Sequence, residues 1–225
     1  GGRIGLSLAS GWHPDDFVFS PSGYKTRHPH LYKQLEELQT LWSGGTVTRT
    51  NGVGREVEVT TYPRPLQDNL PVWVTSAGSP DTFYSAGKTG ANLLTHMLGQ
   101  DLESLAFKIN VYREARRRYG FDPNGGQVTV MLHTYIGDDL ELDIDLKDKS
   151  NDKVIDDLVQ LAFERYWQSA ALMGTQETCS EMVKRLHAIG GNEIGCLIDF
   201  GVPHSKVMRS LEKLAQFKES FKEAV

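Results

Sequence analysis

Cysteine is nearly missing from this chain. Cys179 and Cys196 are the only two and form no CxxC pair, which excludes a disulfide framework and leaves reduced thiols in a cytoplasmic protein as the plain reading. Long hydrophobic runs are missing too. None approaches the roughly 20 residues that a membrane-spanning helix needs. Positive charge is scarce: the net charge is −5, and the only basic cluster, Arg116-Arg117-Arg118, falls on an expected helix. That balance argues against nucleic acid or an anionic membrane as the main partner. No GxGxxG follows an expected strand, so a dinucleotide site is not indicated. No signal peptide is visible, and the sequence opens on Gly1-Gly2 rather than Met. What is present is apolar content: 39% of 225 residues, ample for the core of one large domain.

Along the chain, strands alternate with helices. Strands are expected at 3–10, 71–75, 91–97, 127–136 and 193–200 from short β-branched and aromatic runs. Helices are expected at 30–42, from about residue 80, and at 101–120, 153–171, 176–189 and 203–222. In the first of these, Leu31, Leu35, Leu38 and Trp42 share one face. Residues 46–60 alternate around Asn51-Gly52 and read as a hairpin. Apart from the hairpin the order is βαβαβαβαβα, which calls for a parallel sheet with right-handed crossovers: an α/β barrel or an open doubly wound sheet.

Several stretches suit chemistry. In "PVWVTSAGSPDTF" a strand runs through the small residues Ser76-Ala77-Gly78-Ser79 into a helix start, with Ser79 at the N-cap, Pro80 at the first helical position and Asp81 in the first turn. The turn is either an ordinary βα connection or a cup for a phosphate, which free backbone N–H groups and the helix dipole would suit. Thr95 and His96 end the strand "ANLLTHML", at the face where barrel active sites sit. His133, within "VMLHTYI", is the weaker candidate, read as structurally held with Thr134 beside it. His13, Asp15 and Asp16 in "ASGWHPDDF" lack metal-site geometry, and a capped turn is the better reading. "GTQETCSEM" reads as a structural helix start with Thr175 at its N-cap.

The runs "SGWHPDDF", "YPRPLQDNLPVWVTSAG", "GANLLTHMLGQ", "VTVMLHTYIG" and "ERYWQSAALMGTQETCSEMVKRLHAIGGNEIGCLIDFG" together resemble the luciferase-like monooxygenase family over nearly the whole chain. More narrowly they are similar to the branch embedded in nonribosomal peptide and polyketide assembly lines. The resemblance implies a (β/α)8 TIM barrel that binds reduced flavin mononucleotide (FMN), supplied by a separate flavin reductase, and activates O₂. The implied reaction is hydroxylation or Baeyer–Villiger oxygenation of a small-molecule or carrier-protein-tethered intermediate. It assigns Ser76, Ala77, Gly78 and Ser79 to the flavin phosphate. Ser10 and Gly11 would let the backbone approach the cofactor, Trp12 would wall the pocket, and Thr95 would line it. His96 is the catalytic candidate; no metal is implied.

Five core strands, against eight in the family barrel, make the expected fold incomplete: about the last five βα units in a single domain over 1–225, with an inserted hairpin. The first and last strands should then be open edges, through which a homodimer could form. Between Gly137 and the "ERYW" run, 138–157 holds nine acidic residues in twenty and reads as a solvated loop. Two alternatives stand beside the monooxygenase: a deazaflavin-dependent oxidoreductase on the same barrel, and a non-catalytic flavoprotein or docking domain.

Overall fold

In the computed structural model, which describes residues 2–138, 166–167, 169–198 and 200–221, six short strands pair into one sheet with every neighbour parallel. These are β1 (Leu6–Leu8), β4 (Val72–Thr75), β5 (Asn92–His96), β6 (Val128–Ile136), β7 (Leu172–Gly174) and β8 (Glu193–Leu197); β2 (Val47–Thr50) and β3 (Glu56–Val59) form a separate antiparallel hairpin. The helices are α1 (Arg27–Trp42), α2 (Pro80–Lys88), α3 (Leu102–Arg118), α4 (Gln176–Ala188) and α5 (His204–Ser220). Two 3-10 helices, Pro14–Phe17 and Pro21–Thr26, precede α1.

Each strand follows the period-2 rule, so its residues sort onto two faces. Val72, Val74, Leu93, Val130 and Leu132 lie on one face and are buried under Phe83 of α2, Leu105 and Ile109 of α3, Met182 and Leu186 of α4, and Phe217 of α5. Trp73, Thr75, Leu94, His96, Met131, His133 and Tyr135 alternate with them and are only half-buried. The registers Ser7 with Trp73, Trp73 with Asn92, and His96 with Met131 put this second set on a common inner face. Polar bonds tie it laterally: Trp73 Nε1 donates to Thr129 Oγ1 at 2.9 Å, Thr129 bonds the Glu193 carboxylate, and the Ser7 and Thr75 hydroxyls lie 2.6 Å apart.

Among the described residues the barrel does not close. There β1 pairs only with β4, and β7 and β8 each only with β6, so the sheet keeps free edges on both sides, as the strand count predicts. β6 is the longest strand: besides β5 it carries two further partners in succession, β8 along residues 129–133 and β7 along 134–136.

The element order follows the sequence reading closely, with three differences. The sequence does not announce β7, because three residues are too few to show a strand period next to a helix start. The segment before α1 winds into 3-10 turns, where Asp16 accepts from the N–H groups of Trp12 (3.2 Å) and His13 (3.1 Å). β1 and β8 are shorter than their apolar runs, since an edge strand is held by hydrogen bonds on one side only. The acidic stretch from residue 139 on, and most of the helix expected at 153–171, lie outside the described residues; 166–167 and 169–170 are helical.

In α1, Leu31 and Leu35 are buried while Leu38 and Trp42 pack partly buried against the core, as their spacing predicts. The hairpin turns on Asn51, whose side-chain oxygen accepts from the N–H groups of Val53 (3.1 Å) and Arg55 (3.0 Å). Among the described residues no helix is long and apolar enough to cross a membrane.

Candidate active site

The C-terminal ends of β1, β4 and β5 lie side by side, because parallel pairing aligns Leu8 with Val74 and Thr75 with Leu94. The segments that leave these ends carry most of the candidate residues: 9–12 after β1, 76–79 after β4, and 97–101 after β5.

After β4, Ser76 is 5% exposed and its N–H completes the sheet by donating to Leu94 O at 2.9 Å. Its role is therefore in the strand. Ala77, Gly78 and Ser79 are exposed, and among the described residues nothing accepts from their N–H groups. Ser79 takes an extended N-cap conformation without a side-chain cap bond, and Pro80 starts α2. These donors lie just before the N-terminus of a nine-residue helix, the end where its dipole is positive. Gly78 keeps the turn open: a Cβ there would meet only Lys108 Nζ, at 3.6 Å.

Lys108 was not singled out by the sequence. It sits on α3, is only 8% exposed, and its Nζ donates to Gln100 Oε1 at 2.5 Å. Gln100 in turn donates through Nε2 to Ala77 O (3.3 Å), to Thr95 Oγ1 (3.4 Å) and to His96 O, so one amide joins the β4 and β5 ends. The lysine's contact with its Oε1 sets the amide's orientation. A buried lysine next to a βα turn would have been the signal, but eight residues along a helix do not announce which strand end they reach.

After β5, adjacent residues separate. His96 lies on the inner face; Thr95 is fully buried on the helix side, where Gln100 bonds it. Strand alternation forbids both from lining one site, so Thr95 supports the rim and His96 faces the interior. The His96 Nδ1 accepts from Leu98 N–H at 3.1 Å, which places the ring proton of the neutral imidazole on Nε2. Burial, with a further contribution from the positive charge of Lys108, holds His96 below the ordinary histidine range.

After β1, Ser10 is half-buried and Gly11 adopts φ +80°, where a side chain would also strike the Phe17 ring. Trp12 is 82% exposed, in edge contact with the His13 ring. His13 caps the 3-10 helix through Nδ1, which accepts from Asp15 N at 3.2 Å. These side chains close a turn, and among the described residues no group of three or more potential ligands could hold a metal.

Deeper on β6, His133 Nδ1 is hydrogen-bonded to the Tyr166 hydroxyl, and the Phe200 ring stands edge-on at 5.2 Å. Burial raises the Tyr166 phenol above its usual value. The structure thus gives His133 polar and aromatic neighbours on the inner face that its own strand does not reveal. At the α4 start, Thr175 Oγ1 accepts from Thr178 N at 3.5 Å, and a hydrogen bond with Thr175 lowers the Glu177 carboxyl; both act locally.

Set beside known proteins, residues 1–142 match the family described as luciferase-like monooxygenase. No curated protein matches the chain in sequence. Among solved structures, it is similar to a monooxygenase from Streptomyces bottropensis (TM-score 0.72, 20% identity, 96% of this chain and 68% of that one). It is also similar to the oxygenating constituent of 3,6-diketocamphane monooxygenase from Pseudomonas putida, a type II Baeyer–Villiger enzyme in complex with FMN (0.65, 16%, 94% and 68%). A third is an F420-dependent secondary alcohol dehydrogenase (0.65, 18%, 87% and 64%). The chain spans about two thirds of the length of these neighbours.

Proposed function

From the premise that the chain belongs to the luciferase-like monooxygenase family, we propose that it is the flavin-binding part of an FMN-dependent monooxygenase. The observation that carries the reading is the trio of exposed N–H groups at Ala77, Gly78 and Ser79, which no described residue accepts, in the turn that leads into α2. They fit a phosphate. Beside them, the inner face of β4, β5 and β6 offers Leu94, Met131 and His96 as the surface for a flat heterocycle. When bound, reduced FMN supplies the electrons and the site of O₂ activation; the protein's part is to bind, orient and exclude water.

Within that division, Ala77–Ser79 hold the phosphate and Gly78 keeps room for it. His96, neutral and with its proton on Nε2, presents a hydrogen-bond donor to the ring side of the pocket. Ser10 and Gly11, at the neighbouring strand end, give the cofactor a backbone approach. The substrate class follows from the resemblance to assembly-line oxygenases: a natural-product intermediate, small or tethered to a carrier protein, in the cytoplasm, with a separate reductase delivering the flavin.

Gly78→Leu should weaken FMN binding at least tenfold, about 1.4 kcal/mol, because the side chain enters the turn. The backbone at Gly78 is not in the left-handed region, so the variant should fold. Unchanged affinity in the folded variant would remove the turn from the site. One neighbour uses F420, which favours a second reading, a deazaflavin oxidoreductase on the same scaffold. Titrating the protein with FMN and with F420 and comparing the absorbance changes separates the two.

A further inference from the structure

We infer that Lys108, positioned by Gln100, is the cation that reads the phosphate in the Ala77–Ser79 turn, and so sets a preference for a phosphorylated over an unphosphorylated flavin. The inference rests on the flavin reading above.

Lys108 is more than nine-tenths buried, yet among the described residues no carboxylate pairs with its ammonium. Among the described residues its one acceptor is the neutral Gln100 oxygen at 2.5 Å, and none accepts from the other two N–H donors. Asp101 feels the charge, but its carboxylate oxygen is committed to Ser104 N at 2.8 Å as the α3 cap. Burying an ammonium without a counter-charge is costly. The cost falls if an anion shares the site, and the neighbouring space fits one. A Cβ built on Gly78 would lie 3.6 Å from Nζ, so an oxygen resting on the turn is within reach of the ammonium. The same anion would accept from the free N–H groups of residues 77–79. Fixed backbone donors and a side-chain charge then converge from two elements, the turn before α2 and α3. The turn alone would accept any small anion; the added charge selects a phosphate ester, which carries one to two negative charges near neutral pH.

Gln100 holds this arrangement in register. It grips the ammonium with its oxygen and, with its nitrogen, the Ala77 carbonyl, whose residue contributes one of the anion-binding N–H groups. A lysine alone on a flexible stem would be a poor selector; an amide that spans both partners fixes its distance to the turn.

The test compares FMN with riboflavin, which differ only in the phosphate, by fluorescence titration of wild type, Lys108→Met and Lys108→Gln. Wild type should prefer FMN by at least a hundredfold. Both variants should lose at least tenfold in FMN affinity while riboflavin affinity stays within twofold. Inorganic phosphate, added against chloride at matched ionic strength, should raise the melting temperature of wild type and not of the folded variants. If wild type binds both flavins equally, or if folded Lys108 variants keep the full FMN preference, the assignment of Lys108 is overturned. In the latter case loss of FMN binding in Gly78→Leu would still uphold the turn. Wild type that binds no flavin and takes no stabilisation from phosphate would overturn the flavin reading itself. If neither lysine variant folds, the wild-type flavin comparison and phosphate titration still decide.

Discussion

At the scale of single residues, the inner face is governed by alternation. His96 and Thr95 are neighbours in sequence but belong to opposite faces, and only His96 reaches the interior. Its depressed pKa, caused first by burial, has a sign that can be worked out. The unfolded chain binds a proton near the ordinary value of about 6.5 and the folded protein only at lower pH. Stability is therefore intact above that range and falls as pH drops from about 6.5 toward the folded pKa. His96→Gln should remove this part of the acid loss, so urea midpoints of wild type and variant should converge or cross between pH 7.5 and pH 5. A constant difference across that window would show that His96 does not titrate differently on folding. If His96 also orients the reaction, the same variant should release more hydrogen peroxide per reduced flavin oxidised, with flavin binding unchanged.

Elements meet most closely where α2 crosses α3. Gly87 of α2 lies against the backbone of α3: a Cβ would collide with the Tyr112 carbonyl and come within 2.8 Å of Ala115 Cβ. Helix propensity favours Ala over Gly by up to about 1 kcal/mol. Here the obstacle is backbone, which cannot rotate away as a side-chain tip can, so overpacking wins. Gly87→Ala should cost about 1–3 kcal/mol and lower the melting temperature by several degrees in a calorimeter scan. A neutral or stabilising result would mean that the two helices can separate. The consequence reaches the site, because α2 anchors the turn that carries the free N–H groups and α3 supplies Lys108. The same α3 holds its far end through Arg116, which donates to Gly90 O at 3.0 Å and Asp122 O at 2.8 Å, so that the basic cluster is partly structural.

Over the described residues the whole molecule is a sheet with open edges on both sides. Leu6 and Leu8 on β1 and Ile194 on β8 are only half-buried, whereas the matching positions on β4 and β6 are covered. Exposed parallel edges with apolar side chains invite pairing with another chain. The 225-residue chain alone should therefore self-associate in sedimentation velocity, with β1 and β8 amides protected from exchange in the associated form. Coexpression with a segment that supplies the further βα units should yield a monodisperse species. A stable monomer in which both edges resist exchange would mean that the residues outside the described set close the sheet.

Much of this was legible in the sequence. Val72-Trp73-Val74 running through small residues into Ser79-Pro80 announces a strand, a turn and a helix start, because propensity, capping and φ preference act locally. The parallel sheet follows from the βαβ alternation, which admits few topologies, and the open barrel from setting five apolar runs against the eight strands that the family resemblance implies. β7 escaped, being too short to carry a period. The role of Lys108 escaped for a different reason. On α3 it reads as one more helical lysine; only packing brings its ammonium to Gly78 and Gln100, 30 and eight residues away along the chain. The same holds for His133 and Tyr166, 33 residues apart and joined by one hydrogen bond. Local sequence decides which elements form, because their energetics are settled within a few residues. Which charges and rings converge at the strand ends depends on the distances that tertiary packing sets.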